Sequence, residues 1–91
     1  MLLPKEFTLS PAYPNPFNPT TTLSFALPVT SNVLLEVYDI NGRLINELIK
    51  SNMDAGYDSV VWDANSYASG VYFVKMVAGE FVNTQKLMLV K

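Results

Sequence analysis

Neither cysteine nor histidine occurs among the 91 residues. The absence of thiols excludes disulfide staples and thiolate metal sites. The absence of imidazole removes the commonest general acid–base group. Nucleophilic catalysis would then need a serine or threonine activated by lysine or a carboxylate, and no Ser-x-x-Lys or Gly-x-Ser-x-Gly pattern occurs. Phosphate loops and dinucleotide fingerprints are also missing. Positive charge is sparse: six Lys and Arg stand against eight Asp and Glu, for a net charge of −2. No basic stripe is available for nucleic acid phosphates or for an anionic membrane surface. No apolar run approaches the ~18–20 residues of a membrane-spanning helix. The opening Met1-Leu2-Leu3-Pro4-Lys5-Glu6 lacks the basic and apolar regions of a signal peptide, so if the domain is exported its signal is expected on a longer parent protein. Together these absences argue against an enzyme, against a cofactor and against a nucleic acid partner.

What is present is apolar and aromatic. Nearly half the residues, 49%, are hydrophobic, including five Phe, five Tyr and one Trp, while 15% are charged. That is too apolar for a disordered tail. The length suits one domain over residues 1–91, with residues 1–12 holding a linker remnant and the first strand. Short β-branched and aromatic stretches recur every ~8–12 residues between turn signals, which predicts an all-β, immunoglobulin-like antiparallel β-sandwich of about seven strands.

A first strand is expected over Phe7 to Ser10. The run Tyr13-Pro14-Asn15-Pro16-Phe17-Asn18-Pro19 follows, in which the prolines remove ladder donors and fix φ, so an irregular connection is expected. From Thr20, the residues Leu23, Phe25 and Leu27 alternate with Thr22, Ser24 and Ala26. Val33, Leu35 and Val37 continue the pattern, and Asn41-Gly42 predicts a tight hairpin with φ > 0 at both residues. The return strand from Leu44 to Lys50 breaks the period of two at Ile45, Leu48 and Ile49, a pattern compatible with a bulge or with a short helical segment. Ser51 to Gly56 reads as a polar loop, Tyr57 to Asp63 as a strand with Val60 and Trp62 inward, and Asp63 to Gly70 as a crossover. Val71 to Val77 and Phe81 to Val90 then pair across Ala78-Gly79-Glu80.

Two binding chemistries are conceivable on these residues. Asp39-Ile40-Asn41-Gly42 resembles the start of a calcium loop, but the glycine is misplaced and no glutamate closes the frame; a hairpin capped by Asp39 is favoured. Asp54, Asp58 and Asp63 could join a loop site. Tyr57, Trp62, Tyr67 and Tyr72 could form a carbohydrate platform, although Trp62 and Tyr72 lie inside β patterns and read better as core.

Five segments, taken in order, carry a resemblance over essentially the whole chain. They are Tyr13 to Thr21; Val37-Tyr38-Asp39-Ile40-Asn41-Gly42-Arg43; Ala55-Gly56-Tyr57 with Val60-Val61-Trp62-Asp63; Ser69-Gly70-Val71-Tyr72; and Thr84 to Lys91. The sequence resembles the C-terminal sorting domains (type A) of the type IX, or Por, secretion system. The motif residues Asp39, Gly42, Arg43, Gly56, Trp62, Gly70 and Tyr72 match that family's structural pattern. Ala12 stands where many members carry Asn, and Leu34 replaces a usually polar outward residue. The immunoglobulin-like domain of the flagellar hook-capping protein is a related fold.

The resemblance implies an address label on secreted cargo. Its expected partners are the outer-membrane translocon, a sortase-like surface peptidase and a covalently attached upstream cargo domain, with transit through the periplasm to the cell surface. Recognition is expected at the loop Tyr13, Pro14, Asn15, Pro16, Phe17, Asn18 and Pro19, and at the terminal strand Lys86, Leu87, Met88, Leu89, Val90 and Lys91. Phe17 could equally plug the core. If the terminal strand lies at a sheet edge, a partner strand could extend it, and an edge-strand dimer is a further expectation. The alternative function is a carbohydrate-binding or structural immunoglobulin-like module of a larger extracellular protein.

Overall fold

Each apolar alternation in the sequence becomes a strand with one buried face. The structure, a computed structural model, describes residues 2–91, so Met1 lies outside the described residues. The strands are β1 (Thr8–Leu9), β2 (Thr20–Leu27), β3 (Ser31–Tyr38), β4 (Leu44–Met53), β5 (Gly56–Asp63), β6 (Gly70–Ala78) and β7 (Phe81–Leu89). They form two antiparallel sheets, one ordered β1-β2-β5 and the other β4-β3-β6-β7. This is the expected immunoglobulin-like β-sandwich of seven strands.

The period-two reading identifies the core. Leu23, Phe25 and Leu27 of β2 face Val33, Leu35 and Val37 of β3 and Val74 and Met76 of β6, all buried. Leu87 and Leu89 of β7 close one side, and Trp62 near the end of β5 is buried with them. Fully burying each such side chain contributes about 1.5–3 kcal/mol, so the shared interior is the main source of stability. At the amino end, Pro4 is buried and Phe7 stacks on Phe81 at 5.7 Å, so the chain is packed before β1 begins.

Three local expectations need correction or refinement. The segment read as a loop from Ser51 to Gly56 is mostly strand. Ser51, Asn52 and Met53 pair with Val33, Asn32 and Ser31, leaving only Asp54 and Ala55 between β4 and β5. Pairing across the sheet edge overrides the polar composition here. At Asn41-Gly42, only Gly42 has positive φ, at 81°. Gly42 N–H donates to Asp39 O, and Asp39 N–H donates to Arg43 O, giving a three-residue loop whose last residue is left-handed. The extra residue relieves Asn41 of any left-handed conformation. The broken period in β4 does mark bulges: the register against β3 skips Ile45 and Leu48.

Candidate recognition surface

Between β1 and β2 the chain crosses from one sheet to the edge of the other, and the residues from Tyr13 to Pro19 form a strap there. The Tyr13–Pro14, Asn15–Pro16 and Asn18–Pro19 peptide bonds are cis. One end is tied to β2: Tyr13 N–H donates to Thr22 O at 3.1 Å, and Thr22 N–H returns a bond to Tyr13 O at 2.9 Å. The buried Thr21 hydroxyl donates to Pro14 O at 2.7 Å. At the other end, Ala64 N–H donates to Pro19 O at 2.9 Å and holds the loop that follows β5.

The middle of the strap lies on β7. Asn15 places its carboxamide where a neighbouring strand's peptide group would be: Nδ2 donates to Lys86 O at 2.9 Å, and Oδ1 accepts Met88 N–H at 3.0 Å. Phe17 continues the imitation with its own backbone. Its N–H donates to Met88 O, and its carbonyl accepts Val90 N–H, each at 2.9 Å. Two residues thus complete the outer ladder of β7 from Lys86 to Val90.

Burial divides these residues into two groups. Phe17 is buried, its ring centroid 5.5 Å from that of Trp62, while Tyr13, Pro14, Asn15, Pro16 and Asn18 are exposed and Pro19 is half-buried. On β7 and beyond, Leu87 and Leu89 point into the core, and Lys86, Met88, Val90 and Lys91 face solvent. The side chains of Phe17, Leu87 and Leu89 are therefore unavailable to a partner of the folded domain. The exposed remainder of both segments forms one continuous surface, because the strap lies along the strand. The idea that the terminal strand presents free backbone groups from Lys86 onward is corrected by the same geometry: Asn15 and Phe17 already occupy those at Lys86 O, Met88 and Val90 N.

Aromatic side chains hold this surface from within. Trp62 lies 5.7 Å from Tyr67 and 5.6 Å from Tyr72 between ring centroids, the latter edge-on. The hydroxyl of Tyr67 donates to Ile45 O at 3.0 Å, and that of Tyr72 donates to Ala68 O at 2.5 Å. Trp62 Nε1–H is buried with no partner among the described residues. Of the carbohydrate-platform candidates, Trp62, Tyr67 and Tyr72 form this internal cluster, and only Tyr57 is exposed.

Sequence reasoning missed two residues that position the strap. Gln85 reaches across the open side of the sandwich, donating to Leu9 O at 2.8 Å and Ser10 O at 2.9 Å while accepting Ala12 N–H at 3.3 Å. Thr21 is the other, holding Pro14. Their signal was a polar residue in register with a core face: Thr21 precedes Leu23 and Phe25, and Gln85 precedes Leu87 and Leu89. Lys91 is also held, by Ser69 Oγ on its N–H and by Asn65 O on its ammonium group.

The hairpin between β3 and β4 lies apart from the strap. Asp39 Oδ1 accepts Asn41 N–H at 2.9 Å and Arg43 N–H at 3.0 Å, and Oδ2 faces Arg43 Nε at 3.2 Å. The backbone bond from Arg43 leads in holding this carboxyl below its ordinary pKa, helped by Asn41 and the guanidinium. The arrangement is that of a capped turn. Nearby, the Tyr38 hydroxyl donates to Glu36 at 2.6 Å, which raises the tyrosine pKa.

A family model described as a secretion system C-terminal sorting domain matches residues 11–91. No curated protein and no solved structure matches the chain. The family match runs from just before the strap through β7, and the chain belongs to the family of type IX secretion system C-terminal sorting domains.

Proposed function

We propose that the domain is the address by which an upstream cargo is delivered through the type IX outer-membrane translocon to the cell surface, where a sortase-like peptidase acts on it. The observation that carries this reading is the joining of the strap and the terminal strand into one surface fixed by hydrogen bonds from both ends of the chain. A surface already ordered before binding loses little conformational entropy when a partner takes it, which suits a label read in the folded state. The exposed contact groups would be Tyr13, Pro16, Asn18, Lys86, Met88 and Lys91.

The test places the chain behind a periplasm-directed fluorescent protein in a host that has this secretion system. Alanine replacement of Tyr13, Asn18 and Lys86 together removes exposed side chains and leaves the core intact. Loss of surface fluorescence with unchanged circular dichroism supports the reading. Undiminished export by the triple variant refutes it. The carbohydrate-binding reading gains nothing from the site, since Tyr57 alone makes no platform; retention on a polysaccharide column would revive it.

A further inference from the structure

The four strands at sheet edges are not equally protected. β1 is two residues long, β4 carries bulges at Ile45 and Leu48, and the C-terminal half of β7 lies under the strap. β5 has none of these devices. It pairs with β2 in one unbroken register from Gly56 to Asp63. Ala64 N–H donates to Pro19 O in that same register, so alternate residues counted back from Ala64 turn their backbone groups toward β2. The intervening residues, Tyr57, Ser59, Val61 and Asp63, turn theirs outward. Among the described residues, the outward groups have one partner, the Asp58 carboxylate on Ser59 N–H at 2.9 Å.

Within the strands of this sheet the charge is one-sided, while Lys5 and Glu6 offset each other beside Tyr57. The strands of its sheet, β1, β2 and β5, contain no lysine or arginine, and their only charges are Asp58 and Asp63. Tyr57 and Val61, 72% and 60% exposed, share the outer face with Asp63 and give it apolar neighbours, while Asp58 stands on the opposite face at the exposed start of the strand. A second copy of β5 laid antiparallel would bring acidic residues toward acidic residues. We propose that the β5 edge is a docking site for an extended basic strand of another polypeptide, held by backbone hydrogen bonds to Tyr57, Ser59, Val61 and Asp63 and by ion pairs to Asp58 and Asp63. In an antiparallel partner, the residue opposite Asp63 and the one five positions later, opposite Asp58, are lysine or arginine. The residues opposite Val61 and Tyr57 are apolar.

The probe is the synthetic peptide Lys-Thr-Val-Thr-Thr-Lys-Val-Thr, titrated into the isotope-labelled 91-residue chain and followed by amide chemical shifts. Shifts centred on β5, lost in high salt, are expected. Replacing both peptide lysines by glutamate should weaken binding about tenfold, roughly threefold for each exposed pair. Val61→Pro removes an outward N–H without breaking the ladder to β2, and it should abolish the shifts. Asp58→Lys combined with Asp63→Lys should reverse the preference between the two peptides, and it keeps the test decisive if Val61→Pro fails to fold. Absence of binding overturns the proposal. So does equal binding of both peptides, a response confined to β7, or a salt-insensitive dimer of the chain through β5.

Discussion

Asn15 does with one side chain what a strand does with its backbone. Replacing it by alanine removes both of its bonds to β7 and leaves Lys86 O and Met88 N facing solvent. We expect a loss of about 1–2 kcal/mol in urea denaturation and faster amide exchange at Met88, because these bonds are only partly shielded from water. Phe17→Ala should be far more damaging, about 3–5 kcal/mol, since a large ring beside Trp62 leaves a cavity. Against a total of roughly 5–14 kcal/mol for a chain of this length, that variant sits at the margin of folding in a thermal melt. Asp39 carries the acid sensitivity of its hairpin. Its folded pKa is depressed, so its contribution is complete above the ordinary carboxylate value and disappears as pH falls through the folded value. Protection factors of the Asn41 and Arg43 amides, corrected for the intrinsic pH dependence of exchange, should fall on that descent. Asp39→Asn should remove the dependence.

Turns show what periodicity leaves undecided between elements. Gly42 is left-handed at the end of the β3–β4 loop, and alanine there should cost about 1–2 kcal/mol, measurable as a lowered denaturation midpoint with unchanged slope. The sequence signalled a turn at Asn41-Gly42 but assigned the left-handed conformation to both residues, because the dipeptide alone does not reveal whether a third residue joins the loop. The strands themselves were legible wherever one face is buried, as at Leu23, Phe25 and Leu27, since burial imposes the alternation. Where a strand lies exposed at an edge, as at Ser51 to Met53, no alternation is imposed and the strand read as loop. The strap was legible as an irregular connection through its prolines. Its destination was not, because nothing local in Asn15 or Phe17 encodes a partner more than 70 residues away.

At the scale of the molecule, the two ends of the sequence depend on one another. Deleting residues 86–91 removes Leu87 and Leu89 from the core along with every strap contact to β7, so the truncated chain should show no cooperative melt by circular dichroism. Loss of export by such a truncation would therefore report unfolding as much as recognition. That dependence also fixes a timetable. The strap is synthesised early and its seat late, with Asn15 and Met88 separated by 73 positions. Closing so long a loop costs entropy before any contact repays it, which makes such pairings slow relative to hairpins. While the chain is still emerging, β2 and β5, or β3 and β4, can associate, but the strap has nothing to rest on until β7 is present. The proposed recognition surface comes into existence last, so a partner that reads it would also be reading whether the domain has finished folding.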